Sequence, residues 1–303
     1  MTDRLRRCLI SVPGSNEKML LKSTALDVDV VIIDLEDAVA PQEKARARAL
    51  VAEILATERF TAPTVSVRIN DLTSSHCYQD VIALIGRDDR SLRRPDTLIL
   101  PKTQSTEGIA FLSILLSQIE TKHHEITPVA IDALIEDATG MLGVNTIATA
   151  DERIETLVFG MGDFAASQGI ATQTIGHQGN YAADLWHYPR YRLIMAARAA
   201  GLEPIDGPFA NFRDLEGLKL DLASAKTLGM SGKWAIHPDQ IPAITEAFTP
   251  SLEAVSQART QVKAYETAIK AGEGAVSVDG VMVDQASIKL LAPLLKQAEL
   301  LGL

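Results

Sequence analysis

The chain has 303 residues, 47% of them hydrophobic and 22% charged, enough for one large domain with a substantial core. Its formal net charge of −10 argues against nucleic acid or an anionic membrane surface as the main partner, since both need a basic footprint. No stretch approaches the ~20 apolar residues of a membrane span, and the apolar piece near the N-terminus, CLISV, is too short for a signal-peptide core.

Along the chain, the first feature is a basic group, Arg4, Arg6 and Arg7 followed by Lys18 and Lys22, a candidate cluster for a small anionic ligand. The two cysteines, Cys8 and Cys77, sit in no CxxC or metal spacing, so a reduced, cytoplasmic protein is expected. Eight short apolar runs then recur: 8-CLISV-12, 30-VVIIDL-35, 64-TVSVRI-69, 97-TLILP-101, 129-VAIDALI-135, 156-TLVFGM-161, 204-PIDGPF-209 and 233-KWAIHP-238. They are rich in Val and Ile and mostly do not alternate, as strands buried on both faces of a parallel sheet do not. Helical patterns lie between them. Residues 42–56 place Ala45, Ala49, Ala52 and Leu55 on one face, and 106–121 place Ile109, Leu112, Leu116 and Ile119 at helical spacing. Patterns over 182–201 and 214–229 each end in glycine, a C-cap signal. Strand–helix alternation of this kind predicts a (β/α)8 TIM barrel over 1–248. The tail, 249–303, reads as two helices, 251–272 and 285–302, joined by a Gly/Val turn: a helical extension or lid.

Polar residues fall where the strands end. Asp34, Glu36 and Asp37 follow the second run, Arg68 and Asn70 the third, Lys102 the fourth, Glu136 and Asp137 the fifth, and Asp163 the sixth. Asp206 lies in the seventh, His237 and Asp239 at the eighth. In a barrel of this type catalytic groups sit at the C-terminal strand ends. Acids after five strands, with Arg and Lys between them, predict a site for a divalent cation and an anionic substrate. Glu136 and Asp163 are the candidate metal ligands, and hard oxygen donors suit Mg²⁺, or Mn²⁺ in its place. Each aspartate could instead cap the following helix. Arg68, an arginine inside an apolar strand, needs an anionic partner: Glu36 or Asp37 structurally, or a substrate oxyanion. Lys102 reads equally as a salt bridge or a site residue, and His237 as a core histidine or a catalyst. Trp186, His187 and Tyr188 could line a pocket or belong to the core.

The segments 12-VPGSNEKML-20, 34-DLEDAV-39, 67-VRIN-70, 100-LPKT-103, 135-IEDATGM-141, 160-GMGDFAAS-167, 184-DLWHYPR-190, 204-PIDGPF-209 and 232-GKWAIHPDQI-241 together resemble the citrate lyase β-subunit-like acyl-CoA lyases of the HpcH/HpaI aldolase superfamily. Within it they are most similar to malyl-CoA/β-methylmalyl-CoA lyases. The resemblance implies a Mg²⁺-dependent carbon–carbon lyase acting on a 3-hydroxyacyl-CoA, with glyoxylate and acetyl-CoA or propionyl-CoA as the fragments. It implies metal binding by Glu136 and Asp163, substrate binding by Arg68 and Glu136, and CoA contacts by Lys18 and Lys22. Asp284, in 280-GVMVD-284, matches a tail aspartate that in the family reaches a neighbouring subunit's site as acid/base. A homotrimer or homohexamer with shared lid residues follows as the expected assembly. Alternative readings on the same site are a malyl-CoA thioesterase, a citramalyl-CoA lyase, or a citrate lyase subunit acting on a carrier-protein thioester.

Overall fold

A computed structural model describes residues 4–86, 93–122, 127–172, 174–176 and 184–303. By its contacts the chain divides into two compact units, one of Arg6–Phe248 and one built on Thr249–Leu303.

The first unit is a closed barrel of eight parallel strands in chain order. These are β1 (Cys8–Pro13), β2 (Val30–Asp34), β3 (Thr64–Arg68), β4 (Thr97–Leu100), β5 (Ala130–Ile135), β6 (Ile154–Phe159), β7 (Glu203–Asp206) and β8 (Gly232–Ala235). β1 closes the ring on β8, with Cys8 opposite Lys233 and Ile10 opposite Ala235. Helices follow the strands: α1 (Glu17–Ser23), α2 (Lys44–Thr57), α3 (Cys77–Ile85), α4 (Thr106–Lys122), α5 (Ala138–Ile147), α6 (Met161–Gln168), α7 (His187–Ala199), α8 (Leu215–Leu228) and α9 (Ile241–Phe248). This is the predicted TIM barrel.

Sequence periodicity located the longer helices and missed the shorter. α1, α3, α5, α6 and α9 have seven to ten residues each, under three turns, too few for a 3.6-residue period to stand out. In α2 the expected face holds at Leu55, which is buried, and at Ala52, which is half-buried, and fails at the other two alanines. Ala45 and Ala49 are exposed, and the helix buries Ala47, Arg48, Val51, Ile54 and Leu55. Small alanines say little about direction; the branched residues decide it. α7 begins at His187, five residues after the expected start at 182; residues 182 and 183 lie outside the described residues.

The barrel interior is layered, because side chains two apart on a strand share a face. Leu9, Val30, Ile32, Ile99, Leu134, Val158, Ile205 and Trp234 form its apolar middle. Towards the N-terminal strand ends lies a buried polar floor. There the Ser66 and Thr97 hydroxyls meet at 2.5 Å, and Thr97 and Thr156 donate to Asp132 at 2.5 and 2.7 Å. One step beyond the apolar layer, at the C-terminal ends, stand Asp34, Arg68 and Glu136. On β5 the sequence Asp132, Leu134, Glu136 thus passes from floor to mouth at period two. A second, larger core fills the space between sheet and helices, with Leu112, Leu116, Phe159, Phe164 and Trp186 among its members.

The second unit holds α10 (Leu252–Lys270), a hairpin of β9 (Val276–Val278) and β10 (Val281–Val283), and α11 (Gln285–Leu300). The hairpin replaces the expected simple turn. Its bend, Asp279–Gly280, has φ of +51° and +81°, the left-handed pair that a two-residue hairpin turn demands and that Asp-Gly supplies. Three-residue strands were too short to read in advance.

Candidate active site

At the mouth of the barrel Arg68 is the hub. It ends β3 beside Asp34, which ends β2 in register with it. Its Nε and Nη2 donate to the two Asp34 carboxylate oxygens at 2.8 and 2.5 Å, a bidentate fork. Its Nη1 lies 3.0 Å from Glu36 Oε2 and 3.6 Å from Asp37. Below, the guanidinium carbon stands 5.5 Å from the Trp234 ring centroid, a cation–π contact with the apolar layer. Burial pulls the Arg68 pKa down, but the Asp34 hydrogen bonds and the Asp34, Glu36 and Asp37 charges more than offset it, so the side chain stays cationic. The anionic partner that an arginine in an apolar strand required is therefore Asp34 first and Glu36 second.

The backbone that carries Glu36 is held in place. Lys44 Nζ donates to the carbonyls of Leu35 and Glu36 at 2.8 and 2.6 Å. Asp34 accepts the Glu36 N–H at 2.8 Å. Glu36 itself is buried, and its Oε1 takes the Lys102 ammonium at 2.6 Å. Burial pushes the Glu36 carboxyl upward despite Arg68 and Lys102. Lys102 has φ +49°, a left-handed conformation in a residue with a β-carbon. Its main-chain N–H donates to Glu136 Oε1 at 2.6 Å.

Glu136 is 4% exposed. Burial raises its pKa to about 8; the Lys102 N–H and the Arg68 charge oppose the rise, and the Asp163 and Glu36 charges add to it. The neighbouring strand makes room for it. A β-carbon on Gly160, the residue after β6, would stand 2.3 Å from Glu136 Cβ and 2.9 Å from its Oε2, so glycine alone fits. That close approach brings the start of α6, and Asp163 in its first turn, beside Glu136. Asp163 is exposed. A buried carboxyl that ionises against two neighbouring acids calls for a cation. Among the described residues no three His, Cys, Asp or Glu side chains group to cage a metal. Two oxygen-donor residues with positions left for water and ligand oxygens suit Mg²⁺.

The other strand-end acids are sorted by register. Asp137 is a helix cap: its Oδ1 accepts the Gly140 N–H at 2.6 Å and its side chain also takes Gln104. Asp206 is not at the mouth, contrary to expectation. Ile205 points into the barrel, so Asp206 points out, into a fully buried cluster with Arg190 at 2.9 Å and Lys233 at 2.5 Å; Asp221 joins both cations at 2.5 and 2.6 Å. Asn70 is structural as well. Its N–H and Nδ2 donate to Asp80 at 2.9 and 2.6 Å, and Asp80 pairs with Arg48 at 2.7 Å. His237 is partly exposed, stacks on Phe212 at 4.4 Å and accepts the Asp239 N–H at 3.2 Å. Trp186 is wholly buried against Phe159, at 6.1 Å between rings, while Tyr188 is exposed; the three aromatic-rich positions do not line one pocket.

The basic cluster divides too. Arg6 is buried against Glu155, and Arg7 forks onto Asp29 at 2.7 and 2.9 Å, both at the N-terminal strand ends, opposite the mouth. Lys18 and Lys22 remain exposed on α1, which Asn16 caps by accepting the Met19 N–H at 3.1 Å. In the second unit Asp284 caps α11. It accepts the Ser287 N–H at 2.9 Å and hydroxyl at 3.1 Å, and these bonds hold its carboxyl below the usual range.

Sequence reading missed the parts played by Lys44 and Trp234. Trp234 carried a usable signal, as an inward aromatic alternating with Lys233; Lys44 carried none, because its target is backbone.

Residues 7–238 match the HpcH/HpaI aldolase/citrate lyase family. The chain is 38% identical to an L-malyl-CoA/beta-methylmalyl-CoA lyase of Cereibacter sphaeroides, over 99% of this chain and 96% of that one. A crystal structure of a citrate lyase from Burkholderia xenovorans LB400 superposes with a TM-score of 0.84 at 26% identity, over 100% of this chain and 94% of that one. The protein CitE from Mycobacterium tuberculosis, solved in complex with magnesium, acetoacetate and coenzyme A, superposes at 0.74 and 26%, covering 97% of this chain and 98% of that one. With a match over most of the barrel and a relative aligned along nearly its whole length, the chain is a member of the HpcH/HpaI aldolase/citrate lyase family.

Proposed function

We propose that the protein is a Mg²⁺-dependent carbon–carbon lyase that cleaves or forms a 3-hydroxyacyl-CoA such as malyl-CoA or β-methylmalyl-CoA, with glyoxylate as the small fragment. The observation that carries the reading is Glu136, a buried carboxyl at the barrel mouth set among Asp163, Glu36 and the Arg68 guanidinium. The likeness to the malyl-CoA lyase supports the substrate class, and the magnesium and coenzyme A in the CitE complex support the cofactor and the thioester.

Glu136 and Asp163 would hold the metal. When bound, Mg²⁺ supplies Lewis acidity for a substrate hydroxyl or carbonyl oxygen. The remaining work falls to the chain. Arg68, fixed by Asp34 and Glu36, presents its guanidinium to the thioester oxygen on which charge develops as the carbon–carbon bond breaks. Such a preorganised donor is worth ~3 kcal/mol. The apolar layer under it, Trp234 included, lowers the local dielectric and strengthens that attraction. Lys18 and Lys22 offer ammonium groups for the phosphates of CoA. Asp284, supplied by a neighbouring subunit of a homotrimer or homohexamer, would move the proton at the acyl carbon. In this chain the Ser287 bonds keep it ionised, ready to accept a proton in the condensing direction.

Incubation of the purified protein with malyl-CoA, Mg²⁺ and phenylhydrazine tests the reading. Glyoxylate hydrazone without free thiol is expected. Free CoA without glyoxylate would replace the lyase by a thioesterase. Light scattering in solution checks the assembly.

A further inference from the structure

Lys102 is hard to explain by stability. Its φ of +49° is one that a residue with a β-carbon adopts only at a cost, and glycine would adopt it freely. Its side chain is 43% exposed, so its pair with the buried Glu36 is partly screened by solvent. Its position in the charge pattern is more informative. The Arg68 guanidinium faces two buried carboxylates, Asp34 and Glu36, with Asp37 3.6 Å away. Left to these alone, the positive charge would be cancelled before any ligand arrived. Glu36 divides itself between two cations, with Oε2 on Arg68 at 3.0 Å and Oε1 on Lys102 at 2.6 Å. Lys44 adds positive charge nearby, but its ammonium donates to the carbonyls of Leu35 and Glu36, so the Glu36 carboxylate takes its lysine hydrogen bond from Lys102. Asp71, 4.0 Å from Lys102, is the next acid along the lip.

We propose that Lys102 is a positioning residue: its ammonium neutralises Glu36, so that this carboxylate no longer adds to Asp34 in repelling an anionic ligand from Arg68, while its left-handed main chain turns its N–H onto Glu136. One residue thereby sets both halves of the mouth, the arginine side through its side chain and the carboxylate side through its backbone. The left-handed conformation is what lets the two groups point at different acids. This inference rests on the lyase reading for the identity of the ligand, a small oxo acid or a thioester oxygen.

Three variants test it: Lys102→Met, Lys102→Met with Glu36→Gln, and Lys102→Gly. The readouts are kcat for malyl-CoA cleavage, and calorimetric Kd values for Mg²⁺ alone and for glyoxylate and oxalate on the Mg²⁺-loaded protein. Lys102→Met is expected to lower kcat and weaken both anions by at least ~10-fold. Its Kd for Mg²⁺ should stay within about twofold of wild type, because the N–H on Glu136 remains. Adding Glu36→Gln should recover a large part of the anion affinity, since it removes the charge that Lys102 neutralises. Lys102→Gly should lose activity alike yet unfold at the same or a higher temperature. A double variant no better than Lys102→Met would overturn the proposal, as would Mg²⁺ affinity falling in step with kcat, or a glycine variant that melts several degrees early. If the wild type does not cleave malyl-CoA, the lyase reading fails, and the anion constants still decide the role of Lys102. A wild-type protein that binds neither anion overturns this inference as well.

Discussion

Replacing Glu136 by a side chain that cannot ionise changes how stability depends on pH. In the unfolded chain a glutamate titrates near its ordinary value of 4.5; in the fold Glu136 titrates at about 8. Between these values the folded protein holds a proton that the unfolded chain has released. Its stabilising contribution is complete below 4.5 and is lost as pH rises through 8. In that window the slope is about −1.4 kcal/mol per pH unit, roughly 5 kcal/mol across the whole span as an upper bound. Glutamine cannot ionise but can still accept the Lys102 N–H. Urea unfolding of wild type and Glu136→Gln in EDTA, at half-unit steps from pH 5.5 to 7.5, isolates the difference, because the other titrating groups are common to both. The wild type should lose ~1–3 kcal/mol more than the variant over those two units. Parallel curves would show that Glu136 ionises normally and would refute the argument that the site calls for a cation.

Arg68→Ala should reduce kcat for malyl-CoA cleavage by ~10²–10³-fold with the far-ultraviolet spectrum unchanged; turnover near wild type would remove the arginine from the chemistry. Gly160→Ala forces a β-carbon to 2.3 Å from Glu136 Cβ, so Glu136 must move, and calorimetry should find Mg²⁺ binding weakened at least ~10-fold. Arg190→Met strands Asp206 and Asp221 with one cation between them, and chemical denaturation should register a loss of ~3–5 kcal/mol. Burial pushes the thiols of Cys8 and Cys77 up to about 12, so both should react with an aromatic disulfide on unfolding and far more slowly in the native protein, as timed thiol assays can compare.

The barrel was legible because its signal is redundant. Eight Val/Ile-rich runs recur with helical patterns between them, and an error in one would not change the count. The site was legible in part. Arg68 stood out because a guanidinium in an apolar strand is costly without a partner, and Glu136 because glutamate is a poor cap. Asp206 misled for a physical reason. Position at a strand end was read, but the face was not, and Ile205 one residue earlier takes the inward place. Ala45 and Ala49 misled because a methyl group carries too little apolar area to fix a helix face. Lys44 and Lys102 depend on where carbonyls and φ angles fall, which no local pattern encodes. The Asp-Gly in 279–280 was a readable hairpin signal that three-residue strands obscured.

The layering of the barrel has a further consequence. Leu9, Val30, Ile32, Ile99, Leu134, Val158, Ile205 and Trp234 plug its axis like a stopper beneath Arg68 and Glu136. Proton and water traffic between the mouth and the floor around Asp132 would have to cross that plug. The two polar storeys therefore exchange neither water nor protons through the axis: the hydration of the mouth and that of the floor are set independently, while their charges still feel one another through the dry layer between them.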